Sequence, residues 1–141
     1  MNKNERLKKY EVKEQNFDVD IYVEHYSNPG IPAEEILHQS VEKEGMRVPP
    51  IEMLLIIKQK VYSVRRGTIK GEKDKLDIIS LLQRNISWKV YKDLLSPYSL
   101  HSLPDELIAL LKNMTSAQEI GLNNQKLAIL KKHVLPQLRE C

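Results

Sequence analysis

Residues 17–24 alternate strictly: Phe17, Val19, Ile21 and Val23 are interleaved with Asp18, Asp20, Tyr22 and Glu24. A period of two puts the apolar set on one side of a β-strand and the carboxylates on the other. A second strand is expected over 8–14, with Gln15-Asn16 as the turn between the two. Ser27-Asn28-Pro29-Gly30 then breaks regular structure. Pro32 opens a helix expected over 33–44, where its missing N–H costs nothing, and Gly45 closes it. Met46-Arg47-Val48 reads as a short extended piece.

From Val48 to Leu82 the period lengthens to that of two consecutive helices. In the first, which starts at Pro50-Ile51-Glu52, the residues Leu54, Lys58, Val61, Tyr62 and Arg65 share one face. In the second, expected over 72–84, Asp74, Asp77, Ile78, Leu81 and Leu82 do the same. Charges inside an apolar stripe require partners, because desolvating a lone ion costs several kcal/mol. The simplest solution pairs Lys58 with Asp77 across the two helices and sets Arg65 or Arg66 against Asp74 near the connecting loop. Such a cluster is either a structural ion pair or the border of an anionic ligand site. Three further helices follow: one capped by Asn85 or Ser87 and running to about 95, one started by Ser102-Leu103-Pro104-Asp105-Glu106 and running to about Met114, and a last over 124–135, set off by Gly121-Leu122-Asn123 and ended by Pro136.

These elements predict an α+β fold: a short N-terminal β-hairpin or sheet remnant, then a mainly helical body of about six helices. The 141 residues suit one domain, 1–141, with a β-containing part over 1–48 and a helical region over 49–141. No apolar run approaches the ~20 residues that cross a bilayer, so no membrane partner is expected. The net charge of +3 is mild and argues weakly, if at all, for nucleic acid or an anionic membrane, so nucleic acid is not expected as a partner. One cysteine, Cys141, excludes an internal disulfide, and with no secretory signal at the N-terminus the expectation is a cytoplasmic protein.

Candidate chemistry is sparse. Asp18 and Asp20 lie about 7 Å apart along one side of a strand, and paired carboxylates of this kind can hold a magnesium ion together with phosphate oxygens. Arg65-Arg66 with Lys70 and Lys73 forms a basic cluster able to grip phosphate. His25, His38, His101 and His133 have no metal-ligand spacing. No phosphate-binding glycine loop of either common type is present.

The order Val19-Asp20-Ile21, then Val48-Pro49-Pro50-Ile51-Glu52-Met53-Leu54-Leu55, Lys58, Arg65 or Arg66, and Lys73-Asp74-Lys75-Leu76-Asp77-Ile78 resembles a known pattern. It is similar to the C-terminal two-thirds of small, stand-alone prokaryotic nucleotidyltransferase-like proteins of the polymerase β superfamily, some of them toxin or antitoxin components. The likeness covers about 17–95. It implies a short mixed sheet with helices, magnesium-dependent nucleotidyl transfer, and a nucleotide partner. It places Asp20 at a carboxylate position that is catalytic, as metal ligand or general base. It sets Lys58, Arg65, Lys73 and Asp77 at charged positions bordering the nucleotide groove, with Arg66 as the alternative to Arg65. The family opens on a Gly-Ser or Gly-Gly turn followed by an acidic pair, whereas residues 1–17 contain neither glycine nor serine. An incomplete or degenerate relative is therefore expected, with weak or no turnover as an isolated chain. The rival expectation is a non-catalytic interaction or regulatory protein, whose exposed sheet edge is covered by a second copy or another protein.

Overall fold

The computed structural model describes residues 2–5, 9–13, 18–21 and 29–141, in an α+β arrangement. The turn expected at Gln15-Asn16, the Ser27-Asn28 half of the next turn, and His25 lie outside the described residues. The chain forms two compact units, Met1–Pro50 and Ile51–Cys141.

The first unit holds both sheets. Strands β1 (Asn2–Asn4), β2 (Lys9–Lys13) and β3 (Asp18–Ile21) form an antiparallel sheet in that order. The sequence supplied two of these; β1 is too short and polar to show a period. Register pairs Glu11 with Asp20 and Lys13 with Asp18.

Helix α1 spans Ala33–Gln39, shorter than the expected 33–44. Residues 41–48 instead form a hairpin of β4 (Val41–Lys43) and β5 (Met46–Val48). Glu44 and Gly45 both take positive φ, 50° and 79°. Positive φ at both central residues makes the tight hairpin turn whose twist matches its flanking strands. Gly45 is therefore a turn residue, although in sequence it reads equally well as a helix terminator, since both roles need a left-handed conformation.

The second unit is helical: α2 (Ile51–Arg65), α3 (Ile69–Leu82), α4 (Trp88–Leu95), α5 (Leu103–Asn113) and α6 (Asn124–Arg139). Met53, Leu55, Ile56, Ile78, Ile79, Tyr91, Leu103, Leu107, Leu111 and Leu138 are fully buried. In α5, Leu103, Leu107 and Leu111 recur every fourth residue, giving the helix one apolar side. Ser87 and Asn123 cap α4 and α6 by accepting from the N–H groups of Val90 and Lys126. Helix α6 continues past Pro136 to Arg139, four residues beyond its expected end. Pro136 sits in the last turn, where few ladder bonds remain to be lost. Among the described residues no helix is long and apolar enough to cross a membrane.

Candidate functional site

The candidate site is the antiparallel pair α2–α3 and the turn that joins them. The turn is shorter than the sequence suggests. Thr68 caps α3, its hydroxyl accepting from the N–H of Gly71 at 3.0 Å, so Gly71 lies inside the helix and not in the loop. Glycine is needed there for a different reason. A Cβ at position 71 would collide with the carbonyl group of Arg65 at the end of α2. The absence of a side chain lets the two helices close tightly at this end.

That closure brings four charged residues together. Lys58 Nζ donates to Asp77 Oδ2 at 2.9 Å and lies 3.9 Å from Asp74 Oδ1. Arg65 Nη1 lies 3.5 Å from Asp74 Oδ2. The sequence pairs Lys58 with Asp77 and either Arg65 or Arg66 with Asp74; the structure forms the first pair and takes Arg65 for the second. The two halves differ in setting. Asp74 is buried, its side chain 5% exposed, and Arg65 is 17% exposed, whereas Lys58 and Asp77 are 38% and 52% exposed. Asp74 is thus a fixed internal counter-ion, and Asp77 is a rim carboxylate that solvent can reach.

The remaining sequence-derived candidates are placed elsewhere. Arg66 is exposed and stacks over the Tyr62 ring, 5.6 Å from Cζ to centroid, away from the Asp74 network. Lys73 is exposed on the outer side of α3. Asp18 and Asp20 belong to the first unit, on β3 opposite Lys13 and Glu11 in register. His38, His101 and His133 are all exposed.

Magnesium was expected at Asp18 and Asp20 from the resemblance. Among the described residues no group of three or more His, Cys, Asp or Glu side chains is placed to hold a metal. Two carboxylates two residues apart can share one hard cation with waters and phosphate oxygens, but they cannot organise the two-metal clamp that nucleotidyl transfer uses.

Two polar features of α2 escape the sequence reading. Glu52, buried at the start of α2, accepts through Oε1 from the backbone N–H of Ser87 at 3.1 Å, fixing the entry to α4. Gln59, also buried, donates from Nε2 to the Leu103 carbonyl at 3.0 Å and accepts the Tyr91 hydroxyl at 2.7 Å. One side chain thereby joins α2, α4 and α5. Burial pushes the Tyr91 phenol well above its ordinary value, with the nearby Cys141 adding to the shift and the Gln59 hydrogen bond offsetting part of it. The available signal was a glutamine in register with the buried Glu52, Leu55 and Ile56. Its partners, however, lie 32 and 44 residues away.

A cleft of about 400 Å³ opens between α2, α3 and α5, lined by Tyr62, Arg66, Lys75, Glu106 and Leu110 among others. Lys75 is engaged by Glu72 at 3.0 Å. Comparison of the chain with protein-family models, with curated proteins and with solved structures finds no match in any of the three.

Proposed function

We propose that this chain is a nucleotidyltransferase-like protein, incomplete or degenerate, whose ancestral chemistry is magnesium-dependent nucleotidyl transfer and whose isolated form turns over weakly or not at all. The observation that carries the reading is the ion network on α2–α3, where Lys58 and Arg65 are held by Asp77 and Asp74. The resemblance implies charges at those positions. The network also explains weak activity, since both cations are already neutralised inside the chain. A nucleotide phosphate would have to displace Asp77 from Lys58. That exchange is feasible because both partners are more than a third exposed, and pairs of this kind contribute at most about 1 kcal/mol. Arg65 and the buried Asp74 stay in place as the fixed floor.

Calorimetric titration with nucleoside triphosphate and magnesium tests the reading. Binding is expected, weakened by Lys58→Gln and strengthened by Asp77→Asn, which removes the internal competitor. No binding, or binding indifferent to both substitutions, would end the proposal.

A second reading, a non-catalytic interaction or regulatory protein, is favoured by a separate observation in the first unit. Leu37 on α1, Val41 on β4 and Met46 on β5 are 41%, 54% and 65% exposed, and Arg47 donates to the Leu37 carbonyl, linking hairpin and helix. Apolar side chains beside short strand edges suit a covering chain. Light scattering should then show a dimer that Met46→Lys dissociates, whereas a monomer at all concentrations would dismiss this reading.

A further inference from the structure

The cleft between α2, α3 and α5 carries both signs of charge. Arg66 comes from α2 and Lys75 from α3, while Asp105 and Glu106 come from the first turn of α5. The dipole of α5 accounts for acids in its first turn, but not for their sharing a cleft with a cation. Lys75 is occupied by Glu72. Arg66 and Glu106 are not paired: among the described residues neither has an ion pair within 4.0 Å, and the guanidinium lies over the Tyr62 ring instead. Opposite charges that line one cleft without closing on each other leave room for a molecule that carries both. The lining between them is apolar, made by Tyr62, Leu110 and Met114, and Lys131 holds the Met114 carbonyl from α6.

Behind the cleft a recess of about 10 Å³ shares Tyr62, Arg66, Glu106 and Leu110 with it and reaches Gln59. Gln59 is 4% exposed and gives one of its two amide N–H groups to the Leu103 carbonyl. The other has no hydrogen-bond partner among the described residues. A buried donor left unspent is costly, and this one lies at the back of the cleft. The recess has room for one water at most. A ligand therefore occupies the outer volume of about 400 Å³, within the roughly 300–1,000 Å³ of small-molecule sites.

We infer that this cleft binds a free α-amino acid with a large apolar side chain, its carboxylate on Arg66, its ammonium on Glu106 and its side chain against Tyr62, Leu110 and Met114. A purely anionic ligand is disfavoured, because Asp105, Glu106 and the Glu72 held by Lys75 outnumber the two cations. A purely cationic one would meet Arg66 with nothing to offset it. The ring of Tyr62 and the thioether of Met114 both favour an aromatic side chain. The inference does not depend on the nucleotide reading, which uses Lys58 and Asp77.

The test is saturation-transfer NMR on the full chain with three ligands: L-phenylalanine, phenethylamine, which lacks the carboxylate, and 3-phenylpropanoate, which lacks the ammonium. L-Phenylalanine should bind saturably, and each analogue about fivefold more weakly, the ratio expected of one partly exposed ion pair. Arg66→Gln should weaken L-phenylalanine by a similar factor and leave phenethylamine unchanged. Glu106→Gln should weaken L-phenylalanine and leave 3-phenylpropanoate unchanged. Lys132→Gln, which removes an exposed charge from α6, should alter none of the three. The ranking of the three ligands on the unaltered chain tests the assignment without any variant. No saturable binding of L-phenylalanine, an analogue that binds as tightly, or substitutions that weaken all three ligands alike would overturn it.

Discussion

The hydroxyl of Tyr91 donates to Oε1 of Gln59 at 2.7 Å inside the helical unit, and the same glutamine turns its amide toward the Leu103 carbonyl. A single polar side chain therefore fixes the relative placement of three helices. Leaving one member without its partner costs more than the pair is worth, because the orphaned group stays desolvated. Tyr91→Phe should lower unfolding free energy by about 1–3 kcal/mol, measured by urea denaturation.

The same phenol gives a pH signature. Its folded-state value is raised by burial, so its contribution to stability is fully present below its unfolded value of about 10 and is lost as pH rises above that. Wild type should lose stability between about pH 10 and 11 more steeply than Tyr91→Phe, and the difference between the two curves isolates this group. Parallel curves would show that the hydroxyl is not buried as described.

The two carboxylates of the α2–α3 network should respond very differently to removal. Asp74→Ala leaves Arg65, itself mostly buried, without its counter-ion, and should cost roughly 3 kcal/mol. Asp77→Ala removes a rim pair and should cost under about 1 kcal/mol, an effect that fades as salt is raised. Thermal unfolding at low and high potassium chloride separates the cases.

Gly71→Ala offers a clean contradiction of helix propensity. Alanine is favoured over glycine by about 1 kcal/mol inside a helix, yet here its Cβ would meet the Arg65 carbonyl. The variant should melt at a lower temperature than wild type. If it melts higher, the close approach of α2 and α3 is not what the glycine serves.

Glu52→Ala should free the Ser87 N–H and loosen the first turn of α4. The expected cost is about 1 kcal/mol, with faster amide exchange at Ser87 and Val90 and little change in α5 or α6.

The helix pair could be read in advance because its information is local and periodic. Lys58 and Arg65 repeat at the helical period on α2, Asp74 stands on α3, and the only way to satisfy charges inside apolar stripes is to bring the stripes together. Where one residue type serves two geometries, the sequence is ambiguous. Gly45 closes a helix and turns a hairpin with the same backbone conformation, so the helix expected over 33–44 runs five residues past the end of α1 and covers β4. Gly71 falls just outside the helix expected over 72–84 because glycine usually marks a helix boundary, and nothing local reveals that a neighbouring carbonyl needs the space. Gln59 and Glu52 were illegible as connectors for a third reason: their partners on α4 and α5 are remote in sequence, and only the packed unit brings them near.

Pro136 leaves the final turn of α6 with one rung of its ladder missing. What anchors that turn instead is Leu138, almost wholly shielded from solvent, together with Lys92, which reaches from α4 to the carbonyl of Glu140. The tail is thus moored from outside its own helix. A fusion attached after Cys141 would pull against α4, and tagged protein made for any of these measurements is better extended at the opposite terminus.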